Sequence, residues 1–304
     1  MAIGFNFNHR WWQCMASAIS ALVRPARPKS LTYLNKSYSG DLHFSLNLYG
    51  SFRRFYRGQS GFVISVPSDD LASFQNSFAI YGDDQTAGRL RIISDQDVFA
   101  SAKLPLDSFA QQGWMQQQVI KLCFCDYCET ETYVTLDSDN EITRLFDDRE
   151  FFHGGQIKTL CKAVKLEERD YPILREFFPG DFSRKSFIDG YGLFDVFMMR
   201  GLRDYLAIRG LDFSLAIDRL GLEMQWYGAY VYTVHREKFF PTKDHFMMIW
   251  GCVEKNQAQL RPILEIKSDI ADYFPWRWRA PIGFNIHYPA GHRGKTLSEI
   301  YSDS

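Results

Sequence analysis

Four short runs of β-branched and aromatic residues, at 31–34, 62–66, 90–93 and 132–136, alternate with segments of helical spacing. This alternation is the tightest constraint on what the chain can fold into. Residues 42–55 carry apolar side chains at 42, 44, 46, 48, 52 and 55, a mostly helical pattern. The second run stops at Pro67, and Ser68-Asp69-Asp70 then has the composition of an N-cap and acidic first turn for a helix over 71–74. Residues 114–127 form the helical segment that leads into the fourth run. Parallel strands need crossover helices, so this order predicts an α/β fold with a mostly parallel sheet covered on both faces.

The fourth run ends in Asp137-Ser138-Asp139. In an open α/β sheet, ligands bind at the C-terminal edge of the strands. Two carboxylates one residue apart there suit a hard divalent cation, Mg²⁺ or Mn²⁺, which takes carboxylate oxygens and shares its other positions with water and phosphates. A solvated turn is the alternative for so short a motif.

Composition narrows the partners. The formal net charge of the 304 residues is −1, so no global basic field favours nucleic acid. The 26 Phe, 16 Tyr and 7 Trp would fill an aromatic core, or line a sugar cleft or membrane-facing patch. Six cysteines (Cys14, Cys123, Cys125, Cys128, Cys161, Cys252) are too few for a disulfide scaffold, and no secretory signal precedes them, which points to a reducing cytoplasm. Cys123, Cys125 and Cys128 superficially suggest zinc but lack a second ligand pair at suitable spacing; they read as small buried residues at a helix end. No apolar run reaches the roughly 18 residues of a membrane span. Residues 11–23, with His9, Arg10, Arg24 and Arg27 around them, could pack on the main domain or lie on an anionic membrane surface.

Beyond Asp139 the pattern is less regular. Residues 187–194, Phe-Ile-Asp-Gly-Tyr-Gly-Leu-Phe, read as a strand or loop with close backbone approach, and helical stretches follow near 196–208, 213–220 and 257–270. Residues 1–29 form a peripheral, helical N-terminal segment in this reading, and 30–304 one domain with a nucleotide-sugar half (30–140) and an acceptor half (141–304).

The block Gly113-Trp114-Met115-Gln116-Gln117-Gln118-Val119-Ile120-Lys121-Leu122, followed by Tyr133-Val134-Thr135-Leu136-Asp137-Ser138-Asp139-Asn140, resembles the central block of GT-A glycosyltransferases. It is especially similar to a group of bacterial glycosyltransferases associated with surface polysaccharides, in which a Gly-Trp-x-x-Gln-Gln helix precedes an Asp-x-Asp strand end. The order of elements follows that fold over about residues 30 to 250. The resemblance implies that Asp139, and Asp137 directly or through water, hold Mn²⁺ or Mg²⁺ against a donor diphosphate, with Ser138 between them as a further donor contact. It implies that the first strand's end cradles the nucleoside, nominating Asn35, Lys36 and Tyr38, and that Asp69 or Asp70 accepts ribose hydroxyls. Gln117 and Lys121 lie four apart on one helical face and could both reach the donor, or form a solvated flank. For an acceptor base, Glu223 in Gly221-Leu222-Glu223 is the first choice and Asp189 the second. A glutamate opening a helix is also commonplace on dipole grounds.

Residues 286–291, Ile-His-Tyr-Pro-Ala-Gly, together with Lys295, resemble the closing His-Tyr/Phe-x-Gly-x-x-Lys motif of glycogenin-like glycosyltransferases, with one extra residue before the glycine and no Pro-Trp after the lysine. The resemblance implies His287 as a metal ligand and Lys295 as a diphosphate contact; His235 and His245 compete with His287. Glu223 favours inversion and this tail favours retention. The expected function is transfer of a sugar from a nucleotide-diphosphate donor to a glycan or glycolipid acceptor, in the cytoplasm or against the membrane's inner face. A Mg²⁺-dependent nucleotidyltransferase would want a glycine-rich basic loop after the first strand, which residues 34–38 lack. A non-catalytic sugar-binding module would ignore the nucleotide.

Overall fold

The computed structural model describes residues 31–104, 113–163, 172–181, 185–242, 245–250 and 282–287. The N-terminal segment, the helix expected over 257–270, Cys14, Cys252 and Lys295 lie outside the described residues.

The alternating segments form β1 (Leu31–Lys36), α1 (Leu42–Phe55), β2 (Gly61–Val66), α2 (Leu71–Ser77), β3 (Leu90–Ser94), α3 (Asp95–Ala102), α4 (Gly113–Tyr127) and β4 (Thr132–Leu136). After a short strand β5 (Asn140–Ile142) come β6 (Tyr191–Asp195), α5 (Val196–Ala207), α6 (Phe213–Arg219), α7 (Glu223–Val234), β7 (Phe246–Trp250) and β8 (Gly283–His287). The central sheet has the order β6-β4-β1-β2-β3. Its β4-β1-β2-β3 pairings are parallel, and β6 runs antiparallel along β4. The fold is therefore α/β with a mostly parallel sheet, as the alternation predicts.

Register assigns the two faces. Tyr33 pairs with Phe62 on one side and Val134 on the other, so these three share a face. Helix α1 covers it: the Phe52 ring lies 4.8 Å from Tyr33 and 4.8 Å from Phe62. Tyr133 pairs with Thr32 and points to the opposite face, where α4 lies with Phe124 at 5.3 Å and the Lys121 carbonyl accepting the Tyr133 hydroxyl at 2.9 Å. All six residues of β1 are consequently buried, as a central strand covered on both sides requires. Most aromatics of the described region make core. Cys123 and Cys125 are buried within α4, and burial pushes both thiols up.

One local expectation is corrected. Neither Asp69 nor Asp70 caps a helix: Ser68–Asp70 is a single 3₁₀ turn, and the Asp70 carboxylate accepts the Ser39 N–H at 2.7 Å, tying the loop after β2 to the loop after β1. The side-chain cap comes one unit later. Ser94 accepts the Asp97 N–H, and Asp97 accepts the Ser94 N–H, so α3 starts directly from β3.

The glycine-rich stretch over 187–194 does contain a strand with close approach. Gly192 stands opposite Thr135, and a Cβ there would come within 2.7 Å of the Thr135 Oγ1. Glycine is more severely required at Gly283, where a Cβ would overlap the Glu141 carbonyl oxygen, in the pairing of β8 with β5. Backbone cannot rotate away as a side chain can. Gly283→Ala should therefore loosen β8 from β5 at a cost of about 1–2 kcal/mol, read as faster amide exchange at 283–287 and a lower urea midpoint. Unchanged exchange there would contradict this packing.

Candidate functional site

From β1 the chain builds outward to β2 and β3, then crosses back to place β4 on the other side of β1. The C-terminal ends of β1 and β4 thus diverge at a topological switch point, the place where open α/β sheets hold ligands. A cleft of about 650 Å³ opens there. Its walls include Lys36 and Tyr38 after β1, Asp70 after β2, Gln117 and Lys121 on α4, and Asp137, Ser138 and Asp139 after β4.

The turn carrying the carboxylates is fixed from below. Ser138 is buried and accepts the Asn35 amide at 3.1 Å, with the Ser37 hydroxyl also at 3.1 Å. The Asp137 N–H donates to the Gly190 carbonyl at 3.1 Å, and the Asn140 amide donates to the Asp137 and Gly190 carbonyls at 3.0 and 2.6 Å. With Ser138 anchored inward, the flanking Asp137 and Asp139 border the cleft.

Lys121 lies behind Asp137. Its ammonium is 2.8 Å from the Asp137 Oδ1 and 3.2 Å from the Glu223 Oε1, and its side chain is only 6% exposed. Burial works against its charge, but Asp137 and then Glu223 outweigh burial and hold it above the ordinary lysine value. Glu223 is also raised from a free carboxylate: burial pushes its carboxyl up, Lys121 pulls it down, and Asp137 adds to the rise. With its amide turned so that nitrogen faces the carboxylate, Gln118 donates to both Glu223 oxygens.

These contacts revise several expectations. Glu223 does not line the cleft: it is buried behind Lys121 and paired with that lysine. Asp189 is likewise buried, its Oδ1 accepting the Gly190 N–H at 2.8 Å and its Oδ2 2.7 Å from Lys162, so it shapes the loop beneath Asp137. Asn35 is fully enclosed. It donates to the Leu136 carbonyl and Ser138, and accepts the Ser45 hydroxyl at 2.8 Å, which makes it a clamp between strand ends rather than a nucleoside contact. Asp69 is exposed and outside the cleft wall, where Asp70 stands instead.

Lys36 does reach the wall, with its ammonium 3.1 Å from Asp95. Burial lowers the lysine against the pull of Asp95. Tyr38, Gln117, Lys121, Asp137, Ser138 and Asp139 are all brought to the one cleft. His245 and His235 are held elsewhere, with His245 between Tyr191 and the Glu150 carbonyl and His235 beside Tyr230. For His287 the backbone alone is described. Asn285 stands opposite Asn140 in the antiparallel β8–β5 pair, so the strand's last residue comes two places further, on the side of Asp139.

Trp114 and Gln118, both part of the Gly-Trp-x-x-Gln-Gln block but given no role in the sequence, also belong to the cleft wall. A signal was available: 114, 117, 118 and 121 share one helical face.

Among the described residues, no three His, Cys, Asp or Glu side chains converge as a metal-binding group. The donor set on the wall is nevertheless suited to a hard cation, because Mg²⁺ or Mn²⁺ is commonly held by one or two carboxylates plus water and substrate phosphates. Asp137 and Asp139 meet that requirement. No helix among the described residues is long and apolar enough to cross a membrane.

Comparison with known proteins gives three findings. Residues 28–172 match a family described as "Family of unknown function (DUF6492)". A search of curated proteins returned no match. Among solved structures, the chain is similar to mouse xyloside xylosyltransferase 1 in its apo form, over 88% of this chain and 100% of that one, at 12% identity and a TM-score of 0.45.

Proposed function

We propose that this protein is a metal-dependent glycosyltransferase that takes a sugar from a nucleotide-diphosphate donor. The observation that carries the reading is the convergence of Asp137 and Asp139 with Lys121 at the switch-point cleft of a parallel sheet. In this reading Tyr38 and Asp70, from the ends of β1 and β2, receive the nucleoside, and Lys36 firms the floor through its pair with Asp95. Gln117 and Lys121 face the donor from α4. Asp137 and Asp139 hold Mn²⁺ or Mg²⁺, with His287 completing the set from the end of β8. A divalent cation bound there neutralises the charge that grows on the diphosphate as the sugar departs.

The acceptor half comprises residues 141–304, and Lys295 supplies a further diphosphate contact. The sequence block over 113–122 and 133–140 supports a glycan or glycolipid acceptor in bacterial surface polysaccharide synthesis. The sparse cysteines support cytoplasmic placement, and the basic residues around 11–23 support the N-terminal segment lying against the membrane face. Thermal unfolding with Mn²⁺ and a panel of nucleotide sugars tests the reading. At least one nucleotide should raise the midpoint only when Mn²⁺ is present, by about 2.7 kcal/mol of stabilisation at a hundredfold excess over its dissociation constant. No nucleotide shifting the midpoint, with or without Mn²⁺, would sink it.

A further inference from the structure

Two carboxylates share one ammonium in this site, and they differ in access. The Asp137 side chain is 36% exposed and borders the cleft, while Glu223 is 5% exposed and closed off behind Lys121. A cation entering from the cleft therefore meets Asp137 and cannot reach Glu223. Lys121 bonds both, so Asp137 is partly neutralised before any cation arrives, and Glu223 remains as an anion when Asp137 is taken.

We propose that Lys121 is the resting counter-ion of Asp137 and that Glu223 is the positioning residue that makes the exchange with a divalent cation possible. This rests on the donor-site reading above. In the structure the ammonium lies 2.8 Å from Asp137 and balances its charge. When Asp137 turns to the cation, the ammonium stays paired with Glu223 and remains at the cleft wall to meet a phosphate oxygen. Without Glu223, the same exchange would strand a buried ammonium with no counter-charge, and that cost would oppose cation binding. Gln118, donating to both Glu223 oxygens, and the N-terminal end of α7, where Glu223 sits, keep the carboxylate in place through the exchange.

Two variants of the full-length chain that leave Asp137 and Asp139 intact separate this from a merely structural role. In Glu223→Gln the ammonium has only Asp137 to pair with, so Mn²⁺ must displace it without compensation. In the double variant Lys121→Met/Glu223→Gln both buried charges go together, leaving no lone charge in the core and no ammonium competing for Asp137. Mn²⁺ alone, titrated into each protein and followed by electron paramagnetic resonance, is the probe. Binding should weaken by roughly fivefold or more in Glu223→Gln and tighten by roughly threefold or more in the double variant. Thermal unfolding of each variant checks that it is folded before titration. Shifts of the same sign in both variants, or no shift in either, would overturn the exchange while leaving the glycosyltransferase reading standing. Failure of the wild type to bind any nucleotide sugar in the thermal panel would remove that reading itself.

Discussion

Asp139→Ala is expected to lower Mn²⁺-dependent turnover of the donor sugar by about three orders of magnitude, roughly 4 kcal/mol of transition-state stabilisation. The size follows from what would remain. Asp137 is shared with Lys121 at 2.8 Å, so it offers a cation less than a full carboxylate charge, and Asp139 is the wall's other acidic group after β4. Losing it removes one of the two carboxylate ligands that the turn offers a cation. Asp139→Asn keeps the shape and one neutral oxygen, and should recover only a small part of the loss. The turn itself stays held by Ser138, Asn140 and backbone bonds. Steady-state kinetics across Mn²⁺ concentrations, with a thermal midpoint for each variant, makes the measurement. Turnover within tenfold of wild type would exclude the Asp-x-Asp turn as the cation site.

Asn35→Ala should be the most damaging polar substitution at the floor of the cleft, costing about 3 kcal/mol in stability. The Asn35 amide donates to the Leu136 carbonyl at 3.0 Å and to Ser138 at 3.1 Å, and its carbonyl accepts from Ser45 at 2.8 Å. Alanine removes all three buried bonds at about 1 kcal/mol each, while Ser45 and Ser138 keep the Ser37 hydroxyl at 2.7 and 3.1 Å. A functional consequence follows from the same geometry. Asn35 and Leu136 stand opposite each other in register, so the amide staples the last rung of β1–β4 pairing just before the carboxylate turn. Its removal should weaken Mn²⁺ binding while leaving the order of preference among nucleotides unchanged. A changed base preference at unaltered urea midpoint would instead make Asn35 a ligand.

The sequence carried the sheet well because its signals are local. Runs of β-branched and aromatic residues bounded by Pro67 or by helical periodicity report on strands that are buried on both faces, and parallel pairing follows from the crossovers. The placement of Asp137, Lys121, Gln117, Lys36 and Tyr38 near one edge follows from the same logic, since each lies at a strand end or on the helix feeding one. Glu223 and Asp189 were less legible. A carboxylate's role depends on whether its oxygens face water or a lysine, and Lys121 and Lys162 approach them from positions 102 and 27 residues away in the chain. Asn35 is ambiguous for the same reason: strand-end polarity looks alike whether the group faces a ligand or a neighbouring strand.

What the sequence alone determined is the α/β class, the order of crossovers and the strand end from which the two aspartates emerge, because periodicity and punctuation act within a few residues. The tertiary structure alone decided which polar groups at that edge meet the cleft and which are consumed in building it. Desolvation is the physical reason. Once Glu223, Asp189 and Asn35 are buried they must be paired, and the partners that pair them come from distant elements brought together only by packing.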